Sequence, residues 1–589
     1  MVNLKSVPYN LSDEDILWVK QTIASMSDEE KVGQLFYQLT SDQDEENLRE
    51  LVEKYHLGGC RYNPMTAEQV RKQNYILQSN SKIPLFIACN PEKGGDGVCT
   101  DGQEVGAAIK IGATRKTEYA ETMGKVSAEQ MAAVGCNMAF APVVDILYNH
   151  ECEEVLMRSF GNDPDRVADM GVAYMRGIHQ TEGIGATAKH FPGNGYDSRD
   201  AHLSNNVNPL GLDKWMSTYG KVYKRLIDNG LDGIMGGHIL MPALLKELNP
   251  TLTDSEILPA TLCKEIMTDL LRKRLGFEGV VVTDASHMVA MTSKMKRHDM
   301  LPLSIMAGCD MFLFFNDPDE DFNTMLNAYK RKVITEERMN EALTRILGLK
   351  AKLKLHKKKT SDFYNYSGNM TTILDNNVSD NDIYDISRDA ITLVKNLDKD
   401  VLPLSPDKTP RITIVPIKGA DSPITTFIAM AIGGDKTRKT SAEKLKDKLI
   451  KKGFQVSIYE SPMEKLMDMA NRGEKPSLNL YFAGKHAISD FVSKQDLIIS
   501  LFDVINGRPS FAFSKGGGEI PWYVHELPVI GISVNKPTIL ADCPQLRTYI
   551  NAYDSNEETL DALVDAIMTA DFRGKDPIDS FCGMWDTRV

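Results

Sequence analysis

The chain has 589 residues, 42% of them hydrophobic and 25% charged, and a formal net charge of −13. That length is too great for a single core and predicts two to four units of ordinary globular composition. The negative balance argues against a nucleic-acid partner or an anionic membrane surface, since either favours a basic face.

The opening segment, Met1 to Asn10, carries no long apolar run behind positive charge, so no secretory signal is read there. The apolar run Ile424 to Ile432 is far too short to span a membrane and contains two threonines, Thr425 and Thr426. The nine cysteines are scattered without Cys-x-x-Cys or zinc-type spacing, which fits buried thiols in a reducing cytoplasm.

Between Leu57 and Phe315, short apolar strands alternate with amphipathic helices. Strands are expected at 58–62, 84–90, 137–145, 186–190, 233–238, 279–284 and 310–314. Seven such strands with helices between them predict a mostly parallel sheet, a TIM-like (β/α)8 barrel with one strand missing or distorted. The stretch from Pro259 to Gly276 reads as a helix, with apolar Leu262, Ile266, Leu270 and Leu271 on one face. A last amphipathic helix runs from Glu336 to Lys350. The lysine-rich stretch Lys352 to Lys359 and the polar segment after it read as a solvated linker. The expected division is a barrel domain over 1–355, a linker over 356–385 and a smaller α/β sandwich domain over 386–589. In the last, strands near 411–416, 454–459, 496–502 and 528–533 alternate with helices such as Ser441 to Lys452 and Glu557 to Ala570.

The most chemically loaded stretch runs from Ala186 through Lys189, His190, Pro192, Gly193, Gly195 and Asp200 to His202. It passes from a buried strand into a glycine-rich loop crowded with titratable groups. In an extended segment residues i and i+2 point the same way, so Asp200 can hold one ring nitrogen of His202 and leave the other to move protons. Catalytic groups of a parallel barrel come from the carboxyl ends of its strands. Those ends carry Asn90, Asp145, Lys189, His190, His238 and Asp284, and Asp284 directly follows the apolar run Gly279 to Thr283. A carboxylate there reads equally as a helix cap or as a nucleophile, and the histidine-bearing loop tips the reading to the nucleophile.

Five stretches together resemble glycoside hydrolase family 3, in particular its β-N-acetylglucosaminidase branch. They are Asn137 to Asp145, Arg158 to Pro164, Lys189-His-Phe-Pro-Gly193 with Asp200-x-His202, Pro259 to Phe277, and Gly279 to Asp284; Leu393 to Leu404 resembles the family's second domain. The resemblance implies a retaining glycosidase without a cofactor, acting on a terminal β-linked N-acetylhexosamine, most simply N-acetylglucosamine. Asp284 would be the nucleophile, His202 the general acid/base and Asp200 its partner. Arg158, Lys189 and His190 resemble the family's sugar-binding residues, with Asn90 and His238 joining them at strand ends. Two departures stand out. Asn90-Pro-Glu-Lys-Gly-Gly-Asp96 replaces an acid and an arginine, which predicts an altered reading of a sugar hydroxyl, and Asn194 stands where His or Asp is frequent. A phosphorylase of the same family is the alternative, because a neutral histidine repels phosphate less than a carboxylate does. A metal-dependent barrel hydrolase using His190, His202, His238, Asp145 and Asp284 is a further one.

Overall fold

The computed structural model describes every residue except 1, 41–43, 64, 359–377, 420–438, 461–468, 471, 476–486 and 511–518. The run Ile424 to Ile432 therefore lies outside the described residues. The chain divides into two compact units, Met1–Ala108 with Lys116–Ser379 and Ile109–Arg115 with Asp380–Val589.

The first unit is a closed barrel of eight parallel strands: β1 (Phe36–Thr40), β2 (Gly59–Tyr62), β3 (Phe86–Cys89), β4 (Met138–Ala139), β5 (Gly185–Phe191), β7 (Gly233–Gly236), β9 (Val280–Ala285) and β10 (Met311–Leu313). Each strand pairs with its successor and β10 closes on β1, while a short pair, β6 (Asn206–Val207) and β8 (Ile239–Leu240), stands outside the ring. The strand unseen in the sequence is β1. Its five residues include Gln38 and Thr40 and follow almost at once on the helix Asp28–Gly33, so no turn signal separates the two periodicities. β4 is shorter than its apolar run because Pro142 has no N–H to give the ladder. The carbonyls of Ala141 and Pro142 still accept from Thr187 N (3.0 Å) and Lys189 N (3.1 Å), which keeps this segment against β5.

The helix expected over Pro259 to Gly276 forms in two pieces, a tight turn at Ala260–Leu262 and a wide-wound helix at Glu265–Arg274. The wide winding is visible in the bond from Leu275 N to Leu270 O (2.9 Å), five residues back. Ile266, Met267, Leu270 and Leu271 all stay buried.

At the amino ends of the strands, buried carboxylates are fully paired. Asp310, just before β10, meets Arg272, Arg338 and Arg345, and Asp232, just before β7, meets His179 and Lys352. The lysine-rich stretch is thus not simply solvated. Lys352 ends the helix Glu336–Lys352 on a carboxylate that has no exposed surface, and Lys357 Nζ lies 2.8 Å from Asp15.

In the second unit a six-stranded sheet runs in the order β11 (Thr392–Asn396), β16 (Thr548–Asn551), β15 (Val529–Ser533), β14 (Leu497–Asp503), β12 (Arg411–Lys418), β13 (Gln455–Ile458), with only β11 antiparallel to its neighbour. Alternate residues of β14 serve its two faces: Leu497, Ile499 and Leu501 join the core under the helices Ser441–Lys451 and Glu557–Thr569, and Ile498 and Phe502 join the opposite one. The stretch read as linker already contains the start of the helix Asp380–Ala390. Its buried Ile383, Ile386 and Ala390 recur at helical spacing against the helix Glu557–Thr569. Lys110 is buried on Asp554 (2.6 Å) and Thr559 (2.9 Å), which is why residues 109–115 belong to this unit. All nine cysteines are free thiols, and no helix among the described residues is long and apolar enough to cross a membrane.

Candidate active site

The carboxyl ends of the barrel strands bring the expected residues to one mouth. Beyond β3 the chain presents Asn90 and Glu92, beyond β4 Asp145, at the end of β5 Lys189 and His190, beyond β7 His238, and near the end of β9 Asp284. Three clusters of contact organise them.

The first is ionic. Glu92 accepts two bonds from Arg158, from Nε at 2.7 Å and Nη2 at 2.9 Å, and its Oε1 lies 2.7 Å from Lys189 Nζ. Burial opposes the charged form of Glu92, but Arg158 and Lys189 outweigh it and hold the carboxyl far below the usual range. Burial likewise lowers Lys189 despite its pairing, with Arg158 adding to the effect. Asn90 sits at the edge of this group, its Oδ1 3.5 Å from Lys189 Nζ. The carboxylate of this group is Glu92, two residues after Asn90, and both of its oxygens are held by Arg158 and Lys189.

The second cluster orients an imidazole. Asp145, with no exposed surface, accepts from His190 Nδ1 (2.7 Å) and from Asn194 N (2.7 Å). The chain turns there through Gly193 and Gly195, at φ +124° and +114°. A side chain at Gly193 would meet the Tyr219 ring at 2.2 Å, and one at Gly195 the Ile146 carbonyl at 2.1 Å, so glycine is needed for room as well as for backbone angle.

The third cluster holds Asp284 and the Asp200–His202 pair. Asp284 Oδ1 accepts from Ala285 N at 2.7 Å. Burial works against its charge, but His190 and His238, with that amide, overcome it and keep the carboxyl below the ordinary range. His238 uses both ring nitrogens, Nδ1 with the Thr261 hydroxyl (2.8 Å) and Nε2 with the Ala285 carbonyl (3.2 Å), and burial favours its neutral form. His202 Nδ1 is 2.7 Å from Asp200 Oδ1, which also accepts from His202 N at 2.8 Å. Nε2 is the ring nitrogen that Asp200 does not engage. The hydrogen bond to Asp200 raises the His202 pKa above its usual value against the opposing effect of burial. The pair lies on a loop and stays half exposed, tied to the segment after Asp284 by Val289 N to His202 O (3.3 Å) and Ala290 N to Ala201 O (3.1 Å).

The sequence pointed to Asp284, Asp200, His202, Arg158, Lys189, His190, Asn90 and His238, and all of them stand at or beside the barrel mouth. It gave no role to Glu92 or Glu154. Glu92 had one usable signal, an acid two residues past a strand end. Glu154 had none, since its partners are remote in the chain. Ligand-type atoms of Glu154, Asp200 and His202 lie within 4.8 Å of one another; Asp200 is hydrogen-bonded to the His202 ring, and Glu154 stands 3.9 Å from it. The five residues weighed above for a metal do not form such a group among the described residues: Asp145 is spent on His190 and backbone amides, and His238 has no free nitrogen.

Residues 27–349 match the model of the glycosyl hydrolase family 3 N terminal domain. The chain is 36% identical, over 594 residues and the full length of both proteins, to a β-N-acetylglucosaminidase/β-glucosidase of Cellulomonas fimi. It is 30% identical over 336 residues to β-hexosaminidase A of Pseudoalteromonas piscicida, covering 52% of this chain and 55% of that one. Among solved structures, β-glucoside phosphorylase BglX superposes with a TM-score of 0.84 at 35% identity, covering 99% of each chain. A family 3 β-N-acetylglucosaminidase from Paenibacillus sp. str. FPU-7 shares the fold with a TM-score of 0.72 at 22% identity, over 94% of this chain and 99% of that one. With the family model spanning more than half of the chain and the Cellulomonas fimi relative aligning along all of it, the protein belongs to glycoside hydrolase family 3 and is an enzyme of that family.

Proposed function

We propose that the enzyme cleaves terminal β-linked N-acetylhexosamine, N-acetylglucosamine first among them, with net retention. Asp284 attacks the anomeric carbon and forms a glycosyl-enzyme while His202 Nε2 protonates the departing oxygen; His202 then takes a proton from the acceptor in the second step. Asp200 fixes the tautomer and steadies the imidazolium. Glu92, Arg158, Lys189 and His190 bind the sugar, with Asn90 and His238 at the edges. The observation that carries this reading is the 2.7 Å contact of Asp200 with His202 Nδ1, on a loop tied to the segment that follows Asp284. The activities for which the Cellulomonas fimi and Pseudoalteromonas piscicida relatives are named support the sugar class.

A second reading, transfer to phosphate rather than water, is favoured by the full-length similarity to β-glucoside phosphorylase BglX. The first step is the same in both; only the acceptor differs. A panel of aryl β-glycosides, each with and without inorganic phosphate, decides both questions. Free N-acetylglucosamine as product at all phosphate levels supports hydrolysis, a sugar 1-phosphate with phosphate-dependent turnover supports phosphorolysis, and preference for glucosides over N-acetylglucosaminides overturns the sugar assignment.

A further inference from the structure

The Asp200–His202 pair leaves unexplained a second carboxylate that faces the same imidazole. Glu154 lies on the short helix Glu153–Leu156, with its side chain 9% exposed. Its Oε2 accepts from Asn194 Nδ2 at 3.1 Å and from Ala201 N at 3.4 Å. Its Oε1 lies 3.9 Å from His202 Nδ1, too far for a hydrogen bond, so it acts on the ring through charge. The helix leads directly to Arg158, which donates from Nη1 to the Glu154 carbonyl (3.1 Å) and pairs through its other nitrogens with Glu92. One turn of chain thus joins the sugar-binding cluster to the proton-transfer loop.

We propose that Glu154 is a positioning residue for proton transfer: it clamps the 194–202 loop and backs the His202 imidazole with a second negative charge. The proposal rests on the acid/base reading of His202 given above. Asp200 makes the direct contact and has the larger effect on the ring, but its side chain is 44% exposed and water screens its field, whereas the Glu154 side chain is only 9% exposed. Val289 N, Ala290 N and Asn206 Nδ2 also hold the backbone of the loop, and these three ties carry no charge.

The charged and titratable neighbours of His202 are Asp200, Glu154 and Asp284, which favour the imidazolium, and His238 and His287, which feel its charge in turn. Glu154 itself is pushed up by burial and by Asp200 and Asp284, with His190 and Arg158 opposing. It therefore ionises later than an ordinary carboxyl, and its charge acts on His202 above that point, across the alkaline limb of activity. Removing a negative neighbour lowers the pKa of an imidazole, so loss of Glu154 moves the alkaline limb to lower pH.

The test is Glu154→Gln, which keeps an acceptor for Asn194 and Ala201 and removes the charge. The expected result is a fall of about tenfold in kcat/KM on a β-glycoside with a poor leaving group, a smaller loss on an activated aryl glycoside, and an alkaline limb displaced to lower pH. Glu154→Asp, which keeps the charge, retains the wild-type limb and serves if the glutamine variant folds poorly. A pH profile of Glu154→Gln superimposable on the wild type, or equal losses on both leaving groups, overturns the proposal. His202→Ala, assayed in parallel, separates the two failures: if it too is indifferent to the leaving group, the acid/base reading itself has fallen.

Discussion

Two carboxylates at opposite ends of the barrel, Asp310 fully buried and Asp284 half-buried, differ in what their lone pairs are doing. Asp310, at the amino end of β10, has both oxygens filled: Oδ1 by Arg338 Nη2 (2.7 Å) and Arg345 Nη1 (3.5 Å), Oδ2 by Arg272 Nη2 (2.6 Å) and Val281 N (2.9 Å). Asp284, near the carboxyl end of β9, is hydrogen-bonded among the described residues by Ala285 N alone, and its charge is kept by histidines around it. Burial raises both groups, and their neighbours, arginines at Asp310 and histidines with a backbone amide at Asp284, bring both below the ordinary range, so ionisation does not tell them apart. What differs is commitment. A carboxylate saturated by three guanidinium groups and an amide is a strut, whereas one with an uncommitted oxygen at the strand end that faces the loops suits the nucleophile proposed above.

The sharpest test of that contrast is a pair of isosteric changes. Asp284→Asn is expected to lower kcat by roughly 10⁴-fold or more, with little change in unfolding temperature. Asp310→Asn is expected to destabilise by about 3–5 kcal/mol, because it leaves buried arginines uncompensated, and to spare the kcat of the molecules that remain folded. Thermal melts and active-site-normalised rates on both variants check this; similar behaviour of the two would erase the distinction.

The next effect concerns the half-exposed side of the site. His202→Ala should cost about 10²–10⁴-fold on a poor leaving group and far less on an activated aryl glycoside, since only the former needs a proton. In the wild type, activity on the poor leaving group should be lost as pH falls through the depressed Asp284 pKa, because the nucleophile must be ionised. It should also be lost as pH rises through the His202 pKa, which lies above the ordinary value of 6.5, because the acid must hold its proton. An alkaline limb at or below that ordinary value in a pH–kcat/KM profile would contradict the role of Asp200.

The smallest expected effect is that of Asn90→Asp. With Glu92 already bound to Arg158 and Lys189, a second carboxylate beside Lys189 should change kcat/KM on a simple N-acetylglucosaminide by less than about tenfold. A gain well beyond that would mean that Asn90, not Glu92, limits how the sugar hydroxyls are read.

The sequence by itself determined the features with a short physical range. Strand and helix periods from β2 to β10 laid out the barrel, and an apolar run ending in Asp284 placed a carboxylate at its mouth. Asp200 and His202 lie two residues apart, so their contact needs only an extended turn. The family motifs run along these same local stretches. Tertiary structure decided what depends on closure. Glu92 and Arg158 are 66 residues apart and Asp145 and His190 are 45 apart, and neither pair has a local signature. β1 became a strand because β2 and β10 on its two sides offer it partners, and its own composition did not announce it. The same holds for Glu154, whose buried charge reaches His202 only once the ring of strands has closed: hydrogen bonds and charge act over a few ångströms of space, and sequence separation carries no record of which distant groups will be brought within that range.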